Sequence, residues 1–247
     1  MASFKDRLII GRQPLLEAIA AGTTIDKILL QKTSNGEVSA QIRQLCKDHQ
    51  IPMQLVPVEK LNSFTRANHQ GIIAFAAMVN YLSLQDIITI TLHKNEVPLF
   101  LMLDNITDVR NIGAIARTAY CCGVQTLIIP DKGVGSLNEE AMKSSAGALE
   151  HLKICRVTSL MKAVDELHQN GIQVFASEMK AATTLSSIDF NQPCCIVMGG
   201  EEKGVYPPLL KICDDIFNIP MTRNFESLNV SVASGMILYE TMKQRGS

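Results

Sequence analysis

Residues 219–240 read IPMTRNFESLNVSVASGMILYE, and how this stretch is read decides the architecture. Ile219 and Pro220 close an extended apolar run, DIFNIP. A polar loop follows, and Ser227-Leu228-Asn229 opens a long apolar helix. Ser and Asn favour helix starts because their side-chain oxygens accept bonds from backbone N–H groups that the first turn leaves unpaired. A strand, a polar loop and an apolar helix are one unit of an alternating α/β chain.

The same alternation runs back to residue 98. LFLMLD (99–104), TLIIP (126–130), ICRV (154–157), IQVFASE (172–178), CCIVMGG (194–200) and DIFNIP (215–220) read as strands. NIGAIARTAYCCG (111–123), SLNEEAMKSSAGALE (136–150) and SLMKAVDELHQNG (159–171) read as helices between them. In the second, Ser136 is a possible cap and Glu139 stands in capping-box position. Strands so poor in charge imply a parallel sheet with helices on both faces.

Residues 1–80 form a separate, smaller α/β domain. GRQPLLEAIAAG (11–22) has Pro14 near a first turn and stops at Gly22. DKILLQ (26–31), MQLVPV (53–58) and GIIAFAAMV (71–79) are strands, and EVSAQIRQLCKDHQ (37–50) is a helix with Val38, Ile42 and Leu45 on one face. Residues 81–97 read as a linker, although SLQDIITITLHK within them has the makings of a short amphipathic helix. The larger domain is 98–247.

Composition excludes several classes. No apolar run is long enough to span a membrane, and the N-terminus lacks the apolar core of a secretory signal. Seven cysteines, an odd number with no C-x-x-C, fit neither a disulfide framework nor a zinc site. No metal is expected, and the cytoplasm is the expected compartment. The net charge of −1 rules out a strongly basic surface. It is unevenly spread: residues 1–80 carry nine Lys/Arg against six Asp/Glu, the remainder fourteen against eighteen. Any nucleic-acid contact would use local patches, more readily in the smaller domain.

Three blocks now stand in order: LMLDNITDVRNIGAIARTA (101–119), IVMGGEEKGV (196–205) and the Ser227-Leu228-Asn229 helix start. Together they resemble the SPOUT superfamily, and more narrowly the SpoU/TrmH family of RNA ribose 2′-O-methyltransferases, over roughly residues 97–245. GRQPLLEAI and NHQGIIAF are similar to the N-terminal substrate-binding domain of many such enzymes, a domain like that of ribosomal proteins that bind kinked RNA. The resemblance implies a C-terminal deep trefoil knot formed after about residue 195, which strand patterning alone would never suggest. It also implies a homodimer and S-adenosylmethionine as cofactor. The implied reaction is methyl transfer to a ribose 2′-hydroxyl of structured RNA, in first place a guanosine of large-subunit rRNA, with tRNA as the alternative.

The residues that match carry the chemistry. In N-x-G-x-x-x-R they are Asn111, Gly113 and Arg117, with Arg117 as the catalytic arginine that the resemblance implies. An arginine has a pKa above roughly 12 and is a poor free base, so orienting the ribose or phosphate and supporting a developing oxyanion suits it better than general-base work; both roles stay open. Glu201, Ser227 and Asn229 complete the catalytic set; Glu201 reads equally as a structural partner and Ser227 as a cap. The resemblance of the loop to G-x-E-x-x-G implies that Gly199 and Gly200 border the cofactor, with the backbone of Ile219 and Leu228. RNA contacts fall to Arg12, Arg66, His69 and Arg110, where the first two also read as surface charge and His69 as turn chemistry. Arg110 stands in Asp108-Val109-Arg110-Asn111, where the family often has D-P-x-N. Two other readings remain: a non-catalytic RNA-binding or ribosome-assembly protein, and an ordinary dinucleotide enzyme. The second lacks its early glycine fingerprint.

Overall fold

The computed structural model describes residues 7–34, 36–223 and 227–246, without the side chains of Glu37 and Val38. Val38 of the expected helix face, and Asn224 to Glu226 of the expected polar loop, therefore lie outside the described residues. The chain divides into two compact units, Met1–Asn80 and Tyr81–Ser247.

The smaller unit contains β1 (Leu8–Ile10), α1 (Arg12–Ala20), β2 (Ile25–Gln31), α2 (Glu37–Asp48), β3 (Met53–Val56), α3 (Val58–Asn62) and β4 (Ile72–Ala76). Its sheet has the order β1-β4-β2-β3. β2 and β3 run parallel and the other pairs antiparallel. Side chains alternate across a strand. Ile28, Leu30, Ile72 and Ala74 accordingly pack with Leu15 of α1 and Ile42 of α2. Leu29, Ile73 and Phe75 point the other way, onto Leu61 of α3 and Val56. Both faces of the sheet are covered.

The larger unit contains β5 (Tyr81–Leu82), α4 (Leu84–His93), β6 (Leu99–Asp104), α5 (Val109–Cys121), β7 (Thr126–Pro130), α6 (Glu139–Ser144), α7 (Ala148–His151) and β8 (Lys153–Val157). It continues with α8 (Leu160–Gln169), β9 (Gln173–Ser177), β10 (Thr183–Thr184), β11 (Cys194–Gly199), α9 (Pro207–Leu210), β12 (Asp215–Asn218) and α10 (Val230–Gln244). Eight strands form one sheet in the order β10-β12-β9-β11-β6-β7-β8-β5. Every pairing in it is parallel. Phe100, Leu101, Met102 and Leu103 of central β6 are all 0% exposed. Full burial of such a side chain contributes about 1.5–3 kcal/mol. Phe100 and Met102 pack with Ile87 and Ile88 of α4 and Val164 and Leu167 of α8.

Strand order builds a crevice. From β6 the chain steps outward through β7 and β8, then returns to lay β9 on the other side, and β11 enters between β9 and β6. The order therefore reverses between β6 and β11. In parallel α/β sheets ligands bind outside the carboxyl ends of the strands at such a point. Here those ends are Asp104 and Gly199, which are paired in register.

Two segments differ from the sequence reading. Residues 81–97 are more than a linker. Tyr81 and Leu82 pair with β8 at the sheet edge. α4 is capped by Ser83, whose side chain accepts the Asp86 N–H at 3.1 Å, and it buries Leu84, Ile87, Ile88 and Thr91. Its β-branched run is offset by that burial. Residues 136–150 are two helices, not one. The chain turns left-handed at Ala146 (φ 49°) and Gly147 (φ 89°), which ends α6 and restarts α7. Asn138, rather than Ser136, caps α6 by accepting the N–H groups of Glu140 and Ala141.

Near the C-terminus Arg245 ties three segments together. Its guanidinium donates to the carbonyls of Phe190 (2.8 Å), Val97 (2.9 Å), Pro98 (3.0 Å) and Gln192 (2.9 Å). The planar fork supplies several donors at fixed angles, which a lysine cannot. Among the described residues no helix is long and apolar enough to cross a membrane, and no group of three or more His, Cys, Asp or Glu side chains could hold a metal ion. Burial pushes the thiols of Cys155 and Cys213 up to about 12 and those of Cys46 and Cys194 up to about 11, so these are packing groups rather than nucleophiles.

Candidate active site

Asp104 ends β6 and is 7% exposed. Its carbonyl accepts the Gly200 N–H at 2.9 Å, and its carboxylate accepts the Tyr206 N–H at 2.7 Å. One residue thus pins both ends of the loop 200–206. Burial raises its carboxyl above the ordinary range, and the bonds from Tyr206 and Asn105 oppose that rise. The loop folds back on itself, with the Gly204 N–H donating to the Gly200 carbonyl at 2.7 Å. A Cβ on Gly200 would stand 2.1 Å from the Asn105 carbonyl oxygen, and one on Gly199 would stand 2.2 Å from the Gly204 backbone. Backbone meets backbone here, and only glycine permits it.

Glu201, at the tip of that loop, joins three distant segments. Its Oε1 accepts the Asn229 side-chain N–H at 2.8 Å, the Asn111 side-chain N–H at 3.3 Å and the Val230 backbone N–H at 3.3 Å. Asn229 also donates to the Asn111 side-chain oxygen at 3.1 Å. Asn111 lies in the first turn of α5, whose N-cap is Asp108. Asn229 is the N-cap of α10 and accepts the N–H groups of Ser231 (2.9 Å) and Val232 (3.3 Å). A carboxylate at two helix starts meets the positive ends of both helix dipoles. Gly113 serves packing: a Cβ there would stand 2.5 Å from the Ala141 carbonyl oxygen, so its absence lets α5 lie against α6.

Two adjoining cavities open beside this lock. The first, of about 290 Å³, is lined by Gly199, Gly200, Ile219, Ser227 and Leu228 together with Met198, Val230 and Ala233. Glu178, Glu201 and Lys203 carry its charge. The second, of about 250 Å³, is lined by Asn105, Thr107, Asn111 and Gly133, with Asp108, Glu201, Glu202 and Lys203. Gly200, Glu201, Lys203 and Val230 border both. In each, carboxylates outnumber the single lysine among the described lining residues.

The structure therefore brings together Asn111, Gly199, Gly200, Glu201, Ile219, Ser227, Leu228 and Asn229. Ser227 lines the first cavity, and Asn229 does the capping. Arg117 is not among them. It stands exposed on α5, lines neither cavity, and its side chain makes no hydrogen bond or ion pair among the described residues. Arg110 is on the surface, with Asp108 and Glu140 each 3.5 Å away. In the smaller unit Arg12 donates to Gln41 of α2, and Arg66 is exposed. His69 departs from the expected RNA-facing role. It is 9% exposed, its Nδ1 accepts the Gly71 N–H at 3.0 Å, and its Nε2 faces Asn62 Oδ1 at 2.9 Å. Nδ1 accepts, so Nε2 carries the proton, and both nitrogens are committed to the turn.

Asp104, Glu178 and Lys203 were not singled out from the sequence. Asp104 had a signal, since a carboxylate closing an otherwise apolar strand needs donors. Glu178 had none, because it arrives from β9 only through the strand order.

Residues 98–239 match the SpoU rRNA Methylase family, and residues 8–82 match the RNA 2′-O ribose methyltransferase substrate binding domain. A Bacillus subtilis (strain 168) protein named as a TrmH family tRNA/rRNA methyltransferase, YacO, is 32% identical over 96% of this chain and 95% of its own. The SpoU methyltransferase AviRb from Streptomyces viridochromogenes, solved in complex with AdoMet, superposes with a TM-score of 0.61 at 24% identity, covering 96% of this chain and 90% of its own. The A. aeolicus TrmH/SpoU tRNA modifying enzyme gives 0.56 at 31% identity, covering 61% and 77%. With both family matches in register with the two units, and the motif residues joined at the strand-order reversal, the chain belongs to the SpoU/TrmH family of RNA methyltransferases.

Proposed function

We propose that this protein transfers a methyl group from S-adenosylmethionine to a ribose 2′-hydroxyl of large-subunit rRNA, a guanosine being the first choice. The observation that carries the reading is the pair of cavities sharing the wall formed by Gly200 and Glu201. One suits a donor and the other an acceptor, and alignment of two reactants is the main requirement of the reaction.

The first cavity fits the cofactor by its chemistry. Met198, Ile219, Leu228 and Val230 offer apolar walls for an adenine, and the backbone of Ile219 and Leu228 can read its edge. Glu178 and Glu201 suit a positively charged ligand. When bound, S-adenosylmethionine supplies an electrophilic methyl on a cationic sulfonium, which leaves as a neutral thioether.

The second cavity holds three carboxylates against one lysine, which disfavours a phosphate and leaves room for a ribose edge. Asn111 offers an amide dipole there, already oriented by Glu201, and Asn229 is fixed behind it by the same carboxylate. Glu201 accepts three N–H groups on one oxygen, so its first task is to hold the motif segments together. Lys203 is the one cation lining the cavity; a second to support the developing oxyanion would come from outside it, and Arg117 is the family's matching residue.

A homodimer follows in the same reading. α5 and α10 pack together, and α10 exposes Val232, Met236 and Tyr239 at helical spacing. Covering that stripe with a second copy would bury apolar surface and gather two copies of Arg117 near the sites. The trefoil knot belongs here too, supported by the entry of β11 between β6 and β9. Seven unpaired cysteines favour the cytoplasm. A tRNA substrate is the second reading, favoured by the 31% identity to the A. aeolicus enzyme.

The test is transfer from labelled S-adenosylmethionine to undermodified rRNA and to bulk unmodified tRNA, followed by mapping of the site. Label at one alkali-resistant rRNA position is expected. Label on tRNA alone would keep the chemistry and replace the substrate. Transfer to neither RNA would overturn the enzymatic reading.

A further inference from the structure

We infer that the corner of the smaller unit built from Gly11, Gln31 and Asn68-His69-Gln70-Gly71 is a base-reading surface for unpaired nucleotides of the RNA, with Gln70 as its specificity-determining residue. This rests on the RNA substrate proposed above and assigns to that substrate a site outside the catalytic unit.

The backbone points to it first. Gln70 has φ 50° and Gly71 has φ 77°. Glycine adopts that region freely, whereas a glutamine does so at a cost. Such strain persists where the surroundings over-determine it, and it clusters at ligand clamps. Here the surroundings are specific. Buried His69 spends both ring nitrogens on the turn, one on Gly71 and one on Asn62. The Asn68 side chain accepts the Gln70 N–H at 3.2 Å. The Gly71 carbonyl takes the Gln31 N–H at 2.8 Å, and the Gly11 N–H donates to the Ile72 carbonyl at 3.1 Å. The turn is clamped on every side, while the side chain it carries stays exposed.

The chemistry of the corner points to the ligand. Gln70 lies against Gly11, its Oε1 3.6 Å from where a Cβ on Gly11 would be. Gln31 lies against Gly71, its Oε1 3.2 Å from where a Cβ there would be. Asn68 and Gln70 are exposed, and so is Gln13 in the first turn of α1. Each amide offers a donor and an acceptor, the pattern that base edges present. The contributing segments 11–14, 31–34 and 65–71 hold Arg12, Lys32 and Arg66 and no Asp or Glu. Amides among these cations suit RNA, with Glu17, which accepts from Gln13 at 3.0 Å, as the acid at the edge of the corner. A duplex hides its base edges in a groove that side chains cannot enter, whereas loops and bulges display them.

The test uses the full chain and the RNA that it methylates. Gln70→Gly relieves the strain, so a purely conformational role predicts equal or higher thermal stability with unchanged RNA affinity and turnover. That result would overturn the inference. The expected result is unchanged or higher stability, unchanged S-adenosylmethionine affinity, and a loss of about tenfold in RNA affinity and kcat/KM. Salt dependence gives a second readout. An amide displaces no counterion, so Gln70→Gly should leave the slope of log affinity against log salt unaltered, whereas Arg66→Ala should lower it by about one. A lowered slope in Gln70→Gly would also sink the base-reading role. Direct RNA binding separates this inference from the reaction: wild-type protein that binds RNA in a Gln70-dependent way without methylating it would uphold the surface and refute the activity.

Discussion

Glu201 and Arg117 make an instructive pair. Both belong to the motifs by which the chain resembles its family, and both carry charge. Glu201 is held by three N–H donors from two helix starts, whereas Arg117 has no partner among the described residues and stands off both cavities. The difference separates two meanings of a motif residue. One kind assembles the site inside the chain. The other stands exposed with its charge unspent, as its proposed role toward substrate requires.

That contrast predicts opposite behaviour on substitution. Arg117→Ala should leave the melting temperature and S-adenosylmethionine affinity at wild-type values and lower turnover by about two orders of magnitude, equivalent to about 2.7 kcal/mol of transition-state support. Wild-type turnover would erase the distinction. Gly200→Ala should act through architecture. Its new Cβ meets the Asn105 carbonyl oxygen at 2.1 Å, so a backbone segment must shift, at about 1–3 kcal/mol measured by denaturant unfolding. Cofactor affinity should fall with it, since the displaced loop borders the first cavity.

Glu201→Ala should cost about 1–2 kcal/mol, reduced by the exposure of the group, because three donors lose their acceptor. Glu201→Gln sharpens this by keeping one oxygen. Recovery of stability without recovery of turnover would show that the charge also serves the reaction. The smallest effect concerns Asp104. Its folded-state carboxyl is raised above the ordinary value of 3.8, chiefly by burial. Its contribution to stability is therefore fully present below about pH 3.8 and is lost as pH rises through the raised value. Asp104→Asn removes that loss, so the variant should gain on wild type as pH climbs above 3.8. A gap that is flat with pH would remove the titration.

Much of this site was legible in the sequence because its residue types are needed for their local geometry. Gly199 and Gly200 permit close backbone approach, Asn229 caps a helix, and Ile219 and Leu228 flank the loop between a strand and that helix. What stayed hidden depends on strand order. Glu178 reaches the first cavity because β9 lies next to β11, and nothing in residues 172–178 encodes that neighbour. The break at Ala146-Gly147 was hidden for another reason: an alanine in left-handed backbone is held by tertiary contacts against its own preference. His69 could be read either as turn chemistry or as an RNA contact, and burial decided it.

The bonds made by Arg245 bear on how the protein is made. Val97 and Pro98 stand at the threshold of β6, yet the donor for their carbonyls lies about 147 residues later. β11 likewise takes its place beside β6 only after the four intervening strands, β7 to β10, have been synthesised. Contacts so distant along the chain form late and slowly. Residues 1–80, whose sheet pairs only within itself, are therefore expected to become protease-resistant while the remainder is still being translated. The larger unit should gain resistance only after Arg245 has left the ribosome, and nascent chains arrested before and after that residue would show whether it does.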